Sequence, residues 1–410
     1  MDDATALLIS VSGRDHPGIT TRLCAVLAAH GARLLDVEQV VIRDRLSLGF
    51  LVSPAGDDTA LRAALRETAA DVSVAVEFEH VAARTPGGDR RRGTRHVVTV
   101  LGQPLRPDAL AGVTAAIARI GANIDRIVRL SRYPILSFEL EVSGGQTATL
   151  RDAVTAAAAE HRVDVAVQPA GLYRRAKRLI CFDVDSTLVA GEVIELLAAH
   201  VGRAAEVAAI TAEAMAGTLD FATALRERVH LLAGCPEEAL DQVRAALLLT
   251  PGARTLVRTL RRLGYTTAMV SGGFTQITDV LAAELGIDHT RANTLEIASG
   301  RLTGRLVGPI VDRRAKADAL EEFAAVAGVP LSQTVAVGDG ANDLDMLGRA
   351  GLGIAFNAKR VVREAADTTV NVPYLDAILF VLGITREDVE AADAEDPGFV
   401  AAVPPPVPEP

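Results

Sequence analysis

The apolar positions of the chain repeat with two different rhythms, and the change of rhythm divides it. In the first 170 residues, "LLISVSGRDHPGITTRLCAVLAAHGARLLDVEQVVI" (7–42) and "HVVTVLGQPLRPDALAGVTAAIARIGANIDRIVRLS" (96–131) follow one plan. Each reads as a strand of alternating apolar residues, a Gly turn, a helix with apolar spacing of three and four, a Gly C-cap and a second strand. Gly13 matches Gly102, and Gly31-Ala32 matches Gly121-Ala122 after a one-residue insertion. Further strands ("LSLGFLVS", "VSVAVEFEH"; "ILSFELEVS", "VDVAVQP") and helices near 58–69 and 149–161 complete a βαββαβ unit in each copy, the ferredoxin-like pattern. The pattern predicts domains over 5–83 and 94–170, joined by the linker "RTPGGDRRRG" (84–93).

From Arg178 onward strands alternate with helices: "RLICFDVD", "TTAMVSGG", "TVAVGDG", "LGIAF" and "TTVNV". This predicts an α/β domain over 178–385 with a mostly parallel, Rossmann-like sheet. Purely helical pattern fills about 188–255, too long for a simple crossover, and predicts a helical cap over the sheet edge. "LEIASGRLTGRLVG" reads as a hairpin, and 395–410, ending "PPPVPEP", as a disordered tail.

Composition narrows the function. The 410 residues are 49% hydrophobic and carry a net charge of −10. That balance argues against nucleic acid or an anionic membrane as partner. No apolar run is long enough to span a bilayer, and the amino end carries no charged-then-apolar signal. Cys24, Cys181 and Cys235 are scattered, without CxxC spacing, as expected of reduced thiols in a cytoplasmic protein. Only three of the 42 basic residues are lysines: Lys177, Lys316 and Lys359. In so Arg-rich a chain each lysine calls for a reason.

Four signals fall at or near predicted strand ends, where open parallel sheets gather ligands. They are Asp183-x-Asp185-x-Thr187, Ser271 in "MVSGG", Lys316 in "RRAKADAL", and Asp339, Asn342 and Asp343 in "VGDGANDLDM". Period-two spacing puts Asp183 and Asp185 on one side of an extended backbone, where two like charges repel. Any one of these motifs could be a solvated strand end or turn. All four in order could hardly be.

The order Asp, Ser, Lys, Asp over about 178–385 resembles the haloacid dehalogenase superfamily of phosphatases. The resemblance implies Mg²⁺ as the cation that relieves the carboxylate repulsion, held by Asp183, the backbone carbonyl of Asp185, and Asp339, with Asp343 acting through water. It implies Asp183 as nucleophile forming an aspartyl-phosphate and Asp185 as general acid and base. Ser271 and the amides around Gly272 would bind phosphate oxygens, Lys316 would supply positive charge, and Asn342 would donate to substrate or phosphate.

"DVDSTLVAGEVIELLA" and "AMAGTLDFATALRERV" are similar, within that superfamily, to the phosphoserine phosphatase family. The similarity implies Glu192 for the serine ammonium, Arg228 for its carboxylate, and Met215 and Phe221 as shields of the site. Read without it, Met215 and Phe221 are equally cap core, Glu192 a helix first-turn acid and Arg228 a solvated Arg. The tandem at the amino end resembles two ACT domains, modules that bind amino acids and pair through their sheets, and "GRDHPGI" carries that likeness. It implies a homodimer and an amino-acid effector, with serine the natural candidate, although "GQPLRPD" departs from the pattern in the second copy. The expected activity is Mg²⁺-dependent hydrolysis of O-phospho-L-serine, the last step of serine biosynthesis. The rivals are a phosphatase of another small phosphomonoester, a phosphotransferase, and an amino-acid-sensing regulatory protein.

Overall fold

The computed structural model describes residues 5–82, 94–215 and 219–396. The expected linker and the tail from residue 397 onward lie outside the described residues. The chain forms two compact units, divided between Arg92 and Gly93.

In the first unit, strands β1 (Thr5–Arg14), β2 (Arg33–Ile42), β3 (Arg45–Ser53) and β4 (Val74–Ala82) form an antiparallel sheet in the order β2-β3-β1-β4. The alternation along β1 sends Ile9 and Val11 inward and leaves Ser10 and Ser12 exposed. Helices Ile19–Ala29 and Thr59–Asp71 cover the apolar face through Leu23, Leu27, Leu61 and Leu65. Gly18, at φ 99°, opens the first helix in a left-handed conformation that other residues rarely adopt. His16, in the loop before it, is exposed and bonds through Nε2 to the Val72 carbonyl at 3.0 Å.

The second unit begins with the same plan: β5 (Arg95–Gly102), β6 (Asn123–Ser131), β7 (Leu136–Ser143) and β8 (Asp164–Pro169), ordered β8-β5-β7-β6. The catalytic-type α/β unit follows with β9 (Leu179–Phe182), β10 (Thr266–Phe274), β11 (His289–Ala298), β12 (Arg301–Val307), β13 (Thr334–Gly338), β14 (Gly353–Phe356) and β15 (Thr368–Val370). Strands β11-β10-β9-β13-β14-β15 are parallel, and β12 closes the predicted hairpin on β11. The two sheets are not separate. β15 meets β8 antiparallel at Thr368 and Ala166, producing one eleven-stranded sheet.

One face of the parallel strands packs on helix Ala253–Arg262 and the helical segment 375–389, in a core that also includes Leu101, Leu130, Ile135 and Ala166 of the second ferredoxin-like unit. The other face is covered by helices Arg313–Val326 and Leu344–Arg349. Helices Val193–His200, Ala204–Met215, Phe221–His230 and Glu238–Ala246 form the cap, which packs on Phe274, Ile277, Leu295 and Leu302. Among the described residues no helix is long and apolar enough to cross a membrane.

Candidate active site

β9 and β13 are adjacent parallel strands, so their carboxyl ends present Asp183 and Asp339 side by side. β9 ends at Phe182, earlier than the sequence pattern implies, because Ser186 turns the chain at φ 56° and the Asp183 carboxylate accepts the Val184 N–H at 2.8 Å. The turn Ala341–Asp343 brings Asp343 back against the end of β13, so close that a Cβ on Gly338 would lie 2.5 Å from its carboxyl carbon. Asp183, Asp339 and Asp343 each offer an oxygen within 4.8 Å of the others.

Lys316, on the first turn of helix Arg313–Val326, is fully buried and places Nζ 2.7 Å from Asp183 Oδ1 and 2.7 Å from Asp343 Oδ1. Burial alone would lower its pKa, but the two carboxylates raise it well above the ordinary lysine value. Three carboxylates around one ammonium still leave an excess of negative charge when all are ionised. Burial, followed by the charge of Asp343, pushes Asp183 well above the usual carboxylate range and Asp339 to about 6. An all-oxygen donor set with surplus charge is the environment a hard divalent cation requires.

Asp185 faces a different set of partners. Its Oδ1 accepts the Val193 N–H at 2.8 Å, at the start of the first cap helix, and its Oδ2 accepts the Ser271 hydroxyl at 3.3 Å. Burial raises its pKa, against these hydrogen bonds. The side chain of Asp185 therefore lies outside the three-carboxylate cluster. Ser271 is itself fully buried and accepts the Gly273 N–H at 2.7 Å, while Gly272 and Gly273 form the adjoining cavity wall.

The cavity, of about 410 Å³, lies between the sheet end and the cap. Asp183, Asp185, Asp339 and Asn342 line its floor, and Glu192, Phe221 and Arg228 come from the cap and its junction. Arg228 is buried and hydrogen-bonds Thr211 Oγ1 at 3.3 Å and the Ala224 carbonyl at 3.4 Å. Neither Glu192 nor Arg228 forms an ion pair within 4.0 Å among the described residues. Burial lowers the Arg228 pKa, and burial, with the charge of Asp185, raises Glu192 to about 7. Phe221 approaches the Gly272 backbone closely: a Cβ there would lie 3.1 Å from its ring. Met215 is the last residue of its helix, and the expected shielding by its side chain lies outside the described residues.

The sequence reading gave no role to three residues of this site. Thr187, fully buried, donates to Asp339 Oδ1 at 3.3 Å; its place in the DxDST run was the available signal. Thr211 supports Arg228 and had none. Lys359 lines the cavity, and lysine scarcity pointed to it.

Comparison with known proteins places the chain in a family. The haloacid dehalogenase-like hydrolase family matches residues 180–348, and the ACT domain family matches residues 5–79 and 94–168. The chain is 56% identical to a phosphoserine phosphatase of Streptomyces coelicolor, with 97% of each chain covered. It is 53% identical to phosphoserine phosphatase SerB2 of Mycobacterium tuberculosis, covering 97% of this chain and 98% of that one. Among solved structures, a probable phosphoserine phosphatase from Vibrio cholerae superposes with a TM-score of 0.57 at 31% identity, over 76% of this chain and 92% of that one. With near full-length identity of this order, the chain belongs to the phosphoserine phosphatase family of haloacid dehalogenase-like hydrolases and carries two ACT domains ahead of its catalytic domain.

Proposed function

We propose that this enzyme hydrolyses O-phospho-L-serine to L-serine and phosphate, the last step of serine biosynthesis, through an aspartyl-phosphate on Asp183. The observation that carries the substrate assignment is the pair Glu192 and Arg228. Opposite charges line one cavity with the Asp183 carboxylate, and neither is neutralised by an ion pair among the described residues. A zwitterionic amino acid supplies both missing partners, its ammonium to Glu192 and its carboxylate to the Arg228 fork.

The chemistry follows from the partners of each group. Both close contacts to Asp183 go to Oδ1, from Lys316 and the Val184 N–H, which leaves Oδ2 to attack phosphorus. As the bond to phosphorus forms, the bond from phosphorus to the seryl oxygen breaks, and Asp185 gives that oxygen its proton. The raised pKa of Asp185 suits a group that must hold a proton first. Asp185 then takes a proton from the water that attacks phosphorus, the bond to Asp183 breaks, and phosphate leaves. Asp183, Asp339 and Asp343, with the carbonyl of Asp185, would hold Mg²⁺, which supplies charge neutralisation for the phosphoryl oxygens. Ser271, Gly272, Asn342 and Lys316 would orient and neutralise the same oxygens, and Phe221 would screen the cavity.

The exposed strand β2, with Leu34, Val37, Val40, Val41 and Ile42 all open at a sheet edge, supports pairing of the ACT domains in a homodimer. The ACT domains are proposed to take an amino-acid effector, with the product serine as the candidate, in a cytoplasmic enzyme.

The test is substrate choice. Arg228→Ala should lower kcat/KM on phosphoserine by roughly tenfold to a hundredfold, the worth of a charge-assisted contact, while p-nitrophenyl phosphate suffers far less. Equal losses on both would reject the assignment. A pH profile tests Glu192 separately. Only the anion binds an ammonium, so KM for phosphoserine should rise as pH falls through about 7. Glu192→Gln should raise KM and flatten that dependence, and an unchanged profile would remove Glu192 from the role.

A further inference from the structure

Asparagine is depleted in strands, and a buried amide costs stability unless it is hydrogen-bonded. Asn293 nevertheless lies in β11, 2% exposed, on the strand beside the one that carries Ser271. Its Nδ2 donates to the Gly272 carbonyl at 2.8 Å, and its Oδ1 accepts the Val311 N–H at 2.8 Å. A carbonyl only accepts and a backbone N–H only donates, so these partners fix which end of the amide is which.

Those partners belong to the two loops that build the phosphate end of the cavity. β10 and β11 pair regularly as far as Val270 and Arg291 and meet again at Phe274 and Asn293, so four steps along β10 face two along β11. The surplus forms a bulge at 271–273, and the Asn293 side chain spans the break in the ladder. Val311 immediately precedes Asp312, whose carboxylate caps the next helix by accepting the Ala315 N–H at 2.9 Å. One amide therefore ties Gly272 to the start of the helix that brings Lys316 to Asp183.

Glycine makes that clasp necessary. A Cβ on Gly273 would lie 2.9 Å from Ser271 Oγ and 3.1 Å from Asp185 Oδ2, so the bulge leaves little room for a side chain there. Without side chains, Gly272 and Gly273 leave the peptide between them free to turn over. A trans peptide points its oxygen and its N–H to opposite sides. With the oxygen held by Asn293, the Gly273 N–H is directed to Ser271 Oγ at 2.7 Å, and the Ser271 hydroxyl donates to Asp185 Oδ2 at 3.3 Å. Turned over, the same peptide would present carbonyl lone pairs where phosphoryl oxygens need donors.

We propose that Asn293 is a positioning residue of the phosphoryl site: it holds the peptide between Gly272 and Gly273 in its donating orientation and keeps the Lys316 helix in place beside it. It serves any phosphate monoester, because it bonds the loops that meet the phosphate. The proposal rests on the phosphomonoesterase reading but not on serine as the alcohol.

The experiment measures the Kd for inorganic phosphate by titration calorimetry on the full chain with Mg²⁺, beside KM and kcat for phosphoserine and p-nitrophenyl phosphate. Asn293→Leu, close in shape but without either bond, should raise that Kd and both KM values by roughly five- to twentyfold, with kcat changing less. Asn293→Ser, smaller and open to a bridging water, should raise them about threefold, and it serves if the leucine variant does not fold. In a Ser271→Ala background the factor for Asn293→Leu on phosphate Kd should shrink to about twofold, since a donor that Asn293 positions is gone. Gln276 clasps the same strand through Leu295, its Nε2 donating to the carbonyl at 2.9 Å and its Oε1 accepting the N–H at 3.3 Å. Gln276→Met should lower Tm and leave phosphate Kd native, and a Kd rise equal to that of Asn293→Leu would reduce the effect to strand stability and overturn the proposal. Asn293 variants that lose Tm or kcat while phosphate Kd and both KM values stay native would overturn it too. An undiminished factor in the Ser271→Ala background would reject the route through the glycine peptide. If phosphoserine is not hydrolysed, the proposed activity fails alone, since phosphate Kd still reads Asn293.

Discussion

The two ferredoxin-like copies have the same strand order and opposite surroundings. In the first, β1 alternates buried Ile9 and Val11 with exposed Ser10 and Ser12, and β2 is exposed along nearly its whole length. In the second, β5 is buried on both faces from His96 to Gly102, and β8 is buried from Asp164 to Gln168. The first copy is a two-layer module with helices on one side of its sheet. The second is an extension of the catalytic sheet, with the helical segment 375–389 serving as its other layer. One topology thus supplies a separable module and an integral part of the enzyme. The choice lies in a few side chains on the second face of the sheet.

Truncation should separate them most widely. A chain lacking residues 1–92 should remain folded and hydrolyse p-nitrophenyl phosphate near the native rate. Removing residues 1–177 uncovers the core shared with Leu101, Leu130, Ile135 and Ala166 and frees the edge of β15. Its Tm should fall by roughly 10 °C or more, measured by calorimetry. If both truncated chains melt alike, the second copy is as separable as the first.

Single ion pairs should repeat the contrast on a smaller scale. Arg174 pairs with Glu139 where both are buried, and Arg174 also reaches the Val381 carbonyl. Arg174→Met strands a buried carboxylate, so urea unfolding should show a loss of about 3–5 kcal/mol. In the first copy Arg14 and Asp44 pair at 3.4 Å with side chains 78% and 57% exposed. Arg14→Met should cost no more than about 1 kcal/mol. Comparable losses would mean that burial does not distinguish the copies.

The smallest effect on stability should come from the β2 edge. Val40→Lys, at a site 53% exposed, should leave unfolding within about 0.5 kcal/mol of native while shifting sedimentation toward the monomer. A destabilised variant with unaltered assembly would mean that β2 packs within its own unit.

The repeat, the hairpin, the cap and the order of the four motifs were legible in the sequence, because each is a local pattern tied to one period or one turn. The contrast between the copies was not read there, since both first strands pass as alternating, although "HVVTVL" is the more continuous apolar run, as a strand covered on both faces is. The strand of "CFDVDST" was read as running on through Asp185. It ends at Phe182, because Asp183 bonds the next backbone N–H and Ser186 takes a left-handed φ, and neither event changes the apolar pattern.

The sequence by itself determined the elements, their order, and which acids and glycines stand at or near strand ends. Propensity, periodicity and motif spacing act over a few residues and leave their mark there. Only the tertiary structure decided that Asp343 folds back on Gly338, that Asp185 is tied to the cap helix, and that Glu192 and Arg228 share one cavity. It alone joined Asp164 to Asn371, 207 positions apart. Such contacts depend on which surfaces must be covered to remove apolar area from water and pair buried polar groups. That is a property of the packed molecule, and no window along the chain contains it.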